Sequence, residues 1–371
     1  MCKITKEFRI QGYSNFKCIA DKCKFTCCAG WDVNVDEEIY NKWKNHNKGY
    51  ILDNIMKIDD EEQQYFINKE THEVCPFLDK KGLCNIVKKD GEEYLSLTCR
   101  SFPRIENVLG SIKELTLSCA CPEVVEIISN INNKINMISE SDDNLQSDLE
   151  MFKIRQLLVY IVEEYDFSLD KKLSLCYELL LNLVDAEDKN QVLEKYKDIP
   201  YIKEFCDDYH INNIDINEAM EEVKYLFLDI TENYKDVYQL ENVLKEIYTY
   251  ASVSKDIFIT EKWNKFNDDF KKYNKLIENS IVFKIFSSCL NEDIEEILLS
   301  FQLIILEYIL VRYATFLKWS IHGEIAIEDI KDFIVIFSRV ISNNENAVFE
   351  FLEDGFGDSI LEYGYIRFIL M

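Results

Sequence analysis

The sequence predicts a mainly α protein, in which a small cysteine-rich module (residues 1–128) packs on a larger, acidic, all-α helical body (residues 129–371). Three observations carry this reading. Ten of the thirteen cysteines lie at or before Cys121. No glycine occurs between Gly110 and Gly323, and beyond Pro122 the only proline is Pro200, so the middle of the chain lacks the main helix breakers. Charge is also divided unevenly: residues 1–124 carry a net −2, and the remainder carries −24 of the total −26.

The first segment has short apolar runs and the turn-forming stretches Lys80-Lys81-Gly82 and Lys89-Asp90-Gly91, so β-structure is expected only as short hairpins near Gly82 and Gly91. It reads as a loop-rich module whose core is partly replaced by metal ligation. In the second segment, apolar residues recur at helical spacing through Phe152–Ile161 and Val223–Ile230. The run from Ile297 is apolar on most faces, as a central helix would be. Acidic Glu140–Asp143 and Asp185–Asp188 read as inter-helix loops. Cys176, Cys206 and Cys289 have no close cysteine neighbour and are expected in the core.

Composition narrows the function. With 47% apolar and 13% aromatic residues, the chain folds. The apolar stretch Leu298–Val311 is interrupted by Ser300, Gln302 and Glu307 and is too short to span a bilayer, so no membrane partner is expected. The first residues contain no apolar secretory core, which points to the cytoplasm. An acidic surface repels phosphate backbones and argues against nucleic acid, whereas it would steer a cationic protein substrate.

Thiols at this density in a reducing compartment call for a metal rather than disulfides. The nucleus is Cys18-x4-Cys23-x3-Cys27-Cys28-x-Gly30-Trp31. It is followed by Cys75-Pro76-Phe77-Leu78, Cys84, Thr98-Cys99-Arg100-Ser101-Phe102-Pro103-Arg104 and Cys119-Ala120-Cys121-Pro122-Glu123. Intervals of three or four residues let thiolates from one loop converge, and the distant cysteines complete the shell. His46, His72, His210 and His322 form no ligand-like pair, so an all-sulfur site with irregular spacing fits iron–sulfur, in the 4Fe-4S form, better than zinc. The nine candidates Cys18, Cys23, Cys27, Cys28, Cys75, Cys84, Cys99, Cys119 and Cys121 exceed the four that one cluster takes, which leaves a second metal site or structural and redox roles open. Arg100 and Arg104, near Cys99, are candidates to offset cluster charge or bind a carboxylate, against the alternative of plain surface ion pairs. Trp31 is expected to pack over the metal loop.

Taken together, Cys18–Trp31, Cys75-Pro76-Phe77-Leu78, Leu83-Cys84-Asn85-Ile86, Tyr94–Cys99, Phe102-Pro103-Arg104 and Cys121-Pro122-Glu123 resemble the flagellin lysine-N-methylase (FliB) family, within the proteins that share a YkgJ-like cysteine cluster. The resemblance covers roughly residues 10–128. Cys119-Ala120-Cys121 stands where the family pattern has one cysteine before Pro-Glu, so two residues compete for that ligand position. The resemblance implies a methyltransferase acting on lysine amines of flagellin, with S-adenosylmethionine and an iron–sulfur cluster as cofactors. The residues agree only in part. The sole G-x-G, Gly355-Phe356-Gly357, is far from any strand–helix turn, so no Rossmann-type donor site is expected. Cys23, Cys27 and Cys28 also lack the C-x3-C-x2-C spacing of radical S-adenosylmethionine enzymes. The donor would then bind between the cysteine module and the helices. The competing readings are a metal-stabilised scaffold or redox sensor without catalysis, and a radical enzyme that modifies peptides.

Overall fold

The computed structural model describes residues 4, 6–29, 33–58, 64–69, 74–139, 150–208, 215–235, 237, 239–253, 260–290, 293–342, 348 and 362–370. The first strand is β1 (Lys6–Ile10), followed by α1 (Glu37–Asn45), α2 (Gly49–Leu52), β2 (Ile55–Ile58) and β3 (Gln64–Ile67). Next come α3 (Asn85–Asp90), α4 (Leu97–Ser101), β4 (Arg104–Leu109), β5 (Ile112–Leu117), α5 (Pro122–Ser129) and β6 (Met137–Ser139). The body is helical: α6 (Glu150–Glu164), α7 (Leu169–Val184), α8 (Lys189–Lys195), α9 (Ile199–Asp208), α10 (Ile216–Asn233) and α11 (Leu240–Val253). It continues with α12 (Thr260–Phe270), α13 (Asn274–Ser288), α14 (Ile294–His322), α15 (Ile327–Val340) and α16 (Tyr363–Leu370). The fold is mainly α, as expected.

The centre is α14, 29 residues or about 43 Å at the α-helical rise. Asp293 caps its start by accepting from the Glu295 amide, and Gly323 (φ +77°) ends it in the left-handed conformation that glycine adopts without strain. Its apolar residues face α7, α10, α11, α13 and α15 on all sides, which is why its sequence shows no polar face. Two buried ion pairs set its register. Glu307 pairs with Lys284 on α13 and accepts from Ser338 Oγ (2.8 Å) and Ser342 Oγ (2.5 Å). Arg312 pairs with Asp170 on α7 (2.5 Å) and donates to the Leu370 carbonyl of α16 (3.1 Å). Among the described residues no helix is long and apolar enough to cross a membrane.

The β-structure corrects the sequence expectation. A four-stranded sheet runs in the order β4-β5-β1-β6, with β1 parallel to β5 and the other neighbours antiparallel, and β2–β3 form a separate hairpin. The tight hairpin turn lies at Gly110-Ser111, between β4 and β5. Around Gly82 there is only the single bridge Leu78↔Cys84, closed by the Asp79 carboxylate accepting from the Lys81 and Leu83 amides. Gly91 caps α3 at φ +98° and leads into a 3-10 turn. The central strand β5 was hard to see because its run carries Lys113 and Glu114. Glu114 is fully buried only because Arg155 on α6, 41 positions later, pairs with it at 2.5 Å.

The sheet and α5 share one apolar core with the helical body, into which Ile10, Phe16, Phe25 and Leu117 pack beside the α6–α16 residues. A second, smaller core gathers Val33, Val35, Ile39, Trp43, Ile51, Ile67, Phe77 and Ile86. Several polar contacts seat α5 and the cysteine loop on the body. Asn279 Nδ2 donates to the Ile131 carbonyl (2.7 Å), Lys331 pairs with Glu126 (2.6 Å) and Lys24 pairs with Asp332 (2.5 Å).

At the turn after β1, Gly12 sits at φ +87°, and a Cβ there would stand 2.6 Å from Ile127 Cγ2 of α5. Gly12→Ala is expected to cost about 1–3 kcal/mol in urea unfolding, from backbone strain and overpacking together. An unchanged midpoint would remove this close approach.

Candidate metal centre

The two cores meet at a cavity of about 440 Å³, and eight of the nine predicted cysteines line it: Cys18, Cys23, Cys27, Cys28, Cys75, Cys84, Cys99 and Cys121. Local structure explains how each arrives. Cys23 follows a 3-10 turn (Ala20–Lys22), and Cys27-Cys28 follow Thr26, whose φ of +29° bends the loop inward. The Cys75 amide donates to the Cys28 carbonyl (2.7 Å), tying the second cysteine segment to the first. Cys84 is the residue before α3, and Cys99 lies in α4, whose N-cap Ser96 accepts from the Cys99 amide (3.3 Å). Cys121 is the N-cap of α5, with Pro122 at the first helical position. The remaining wall is mostly apolar, with Phe16, Val33, Trp43, Ile67, Phe77 and Phe102, and its charged members are Lys88, Glu92, Glu123 and Arg339.

Cys119 is turned away from the cavity. Its thiol is buried against α13, 3.9 Å from the Ser280 carbonyl and beside Lys284 and Glu307. Of the two cysteines that compete before Pro122, Cys121 is the one on the cavity wall. Arg100 and Arg104 do not line it either. Arg100 is exposed in the last turn of α4, and the Arg104 guanidinium lies over the Phe16 ring at 4.9 Å. Trp31, Cys2, His72, His210 and Gly355-Phe356-Gly357 lie outside the described residues, as does the Glu140–Asp143 loop. Asp185–Asp188 do join two helices, and Cys176, Cys206 and Cys289 are buried.

The sequence reading missed Arg339. It comes from α15, is 4% exposed, and donates from Nη1 to the carbonyls of Phe25 (2.6 Å) and Thr26 (3.0 Å) and from Nε to that of Ala120 (3.0 Å). The available signal was a lone cation inside the apolar run Phe333–Val340.

Thiol electrostatics are dominated by burial. It pushes Cys75 up to about 12 and Cys99 and Cys121 up to about 11, and it raises Cys84 as well. Cys27 and Cys28 share a hydrogen bond that raises the first and lowers the second. Burial opposes the fall at Cys28, while the Thr26 hydroxyl, Lys69 and Arg339 assist it. Among the described residues no three His, Cys, Asp or Glu side chains close around one point as a single metal ion requires. The thiols are spread around the cavity wall instead. This donor set is soft and all-sulfur, with a buried cation beside it, and its chemistry suits an iron–sulfur cluster.

Comparison with known proteins decides the family. The FliB lysine N-methylase C-terminal domain matches residues 123–367, which is most of the helical body. The chain belongs to the FliB lysine N-methylase family. A flagellar biosynthetic protein FliU from Salmonella muenchen is 32% identical over 123 residues, 32% of this chain and 73% of that protein. Two lysine-N-methylases, from Salmonella choleraesuis and Salmonella typhimurium, are each 31% identical over 123 residues. The matched stretch is 32% of this chain and 31% of each of those two. No solved structure matches the chain significantly. Arg339 lies within the FliB C-terminal domain, while all eight cavity cysteines precede it, so the cavity is assembled from both parts of the chain.

Proposed function

We propose that the protein is a cytoplasmic, S-adenosylmethionine-dependent protein-lysine N-methyltransferase acting on flagellin, and that the thiol cavity holds an iron–sulfur cluster, in the 4Fe-4S form, on which this activity depends. The observation that carries the proposal is the convergence of eight cysteines from five separate chain segments on one cavity in a member of the FliB family. The flagellar biosynthetic name of one relative and the lysine-N-methylase names of two others support the substrate and the reaction. The described cysteines are free thiols, as a reducing compartment keeps them.

When bound, the cluster would supply a Lewis-acidic iron able to hold the amino and carboxylate groups of the methyl donor. The chain's own residues do the rest. Trp43, Phe77 and Phe102 give the cavity apolar walls that exclude water from the transfer. Glu92 and Glu123 are the carboxylates on the wall, and they offer an ion-pair partner to an incoming lysine ammonium. The acidic helical body, with net −24 beyond residue 124, favours approach of a cationic substrate.

The test uses protein reconstituted anaerobically with iron and sulfide, then mixed with flagellin and methyl-labelled S-adenosylmethionine. Methyl-lysine on flagellin is expected, with loss of transfer when the cluster is stripped by chelation. A cluster-free protein that stays folded and methylates flagellin at the same rate would overturn the dependence on iron. A loaded protein with no transfer would favour a scaffold or sensor.

A further inference from the structure

Arg339 reaches the thiol cavity from the opposite part of the chain, and its surroundings single it out. Fully withdrawing a guanidinium from water costs several kcal/mol unless polar or negative groups compensate. The three carbonyls it binds belong to Phe25, Thr26 and Ala120. Phe25 and Thr26 lie between Cys23 and Cys27, and Ala120 precedes Cys121, so one side chain braces two cysteine-bearing segments at once. Thr26 is β-branched yet held at φ +29°, a strained conformation that persists only when its surroundings impose it. The Nη1 bond to its carbonyl is such a constraint. Arg339 is also one of the residues that line the cavity.

Resting on the reading that the cavity holds a cluster, we propose that Arg339 is a positioning residue for it. The planar fork holds the Cys23–Cys28 loop and the Cys121 segment in their ligating arrangement, and the fixed positive charge favours the more negative, reduced state of the cluster. Fork and charge are separable. Lysine keeps the charge but cannot make three bonds of this geometry to two segments. Glutamine is short and neutral and loses both.

The experiment compares wild type, Arg339→Lys and Arg339→Gln after anaerobic reconstitution, with circular dichroism to confirm the helical fold. Dye-mediated redox titration gives the midpoint potential, and bleaching by an iron chelator gives the rate of cluster loss. In Arg339→Gln the oxidised-to-reduced ratio at fixed poise should rise at least tenfold, a fall of 59 mV for one electron. Arg339→Lys should stay near the wild-type potential but lose its cluster to the chelator several times faster than wild type. Should Arg339→Gln fail to fold, the chelation rate of Arg339→Lys decides: an unchanged rate overturns the bracing role. A folded Arg339→Gln with wild-type potential and chelation rate overturns the proposal while leaving the cluster reading intact. A wild type that takes up no iron instead overturns the cluster reading itself.

Discussion

Replacing Cys121 with serine should remove most of the bound iron, whereas the same change at Cys119 should leave iron binding intact. The two residues are separated by one alanine, yet they face opposite ways. Cys121 lies on the cavity wall with seven other cysteines, while Cys119 is buried against the Ser280 carbonyl of α13. Serine at position 119 puts a hydroxyl into a buried niche against the Ser280 carbonyl, at a cost of about 1–2 kcal/mol and no loss of ligand. Iron per protein after anaerobic reconstitution and gel filtration is the measurement. Iron kept by Cys121→Ser and lost by Cys119→Ser would mean that the cavity is not the metal site.

The second large effect is on stability. Glu307→Ala should destabilise the protein by about 3–5 kcal/mol, the usual cost of leaving one partner of a buried ion pair behind. Glu307 is 1% exposed and serves Lys284, Ser338 and Ser342 together. Its loss strands a buried ammonium and two hydroxyl groups where α13, α14 and α15 meet. Urea unfolding measures the change. Replacing Lys284 and Glu307 together with methionine and leucine should recover much of it, because no uncompensated charge then remains. A loss below about 1 kcal/mol in the single variant would show that water reaches the pair.

Because α15 carries both Ser338 and Arg339, the buried network and the cavity are mechanically linked. Ser338 binds Glu307 on one side of the helix, and its neighbour Arg339 binds the cysteine loop on the other. A shift of α15 along α14 would therefore move the guanidinium relative to Cys23, Cys27 and Cys28. Stability in the body and order at the thiols are expected to fall together in Glu307→Ala.

Much of the architecture was legible because it is local. The glycine-free stretch and its helical periodicity marked α6, α10 and the apolar α14. The strands were harder to read. β5 carries Lys113 and Glu114, whose place in a central strand depends on neighbours far along the chain, and the hairpins expected at Gly82 and Gly91 became a single bridge and a helix cap. Residue type and short spacing made the cysteines candidates for a shared site, since thiolate chemistry is a property of the side chain, and eight of the nine line one cavity.

By itself, the sequence determined the kind of protein this is: a mainly α member of the FliB family, with ten of its thirteen cysteines at or before Cys121. Which thiols face one another was decided only by the tertiary structure. A two-residue step along the chain separates Cys119 from Cys121, and spacing alone cannot reveal that they face different ways. Arg339 lies 219 positions from the Ala120 carbonyl it binds. Its arrival at the cavity is a consequence of how α15 packs against α14 and α5, a long-range energy that no local pattern encodes.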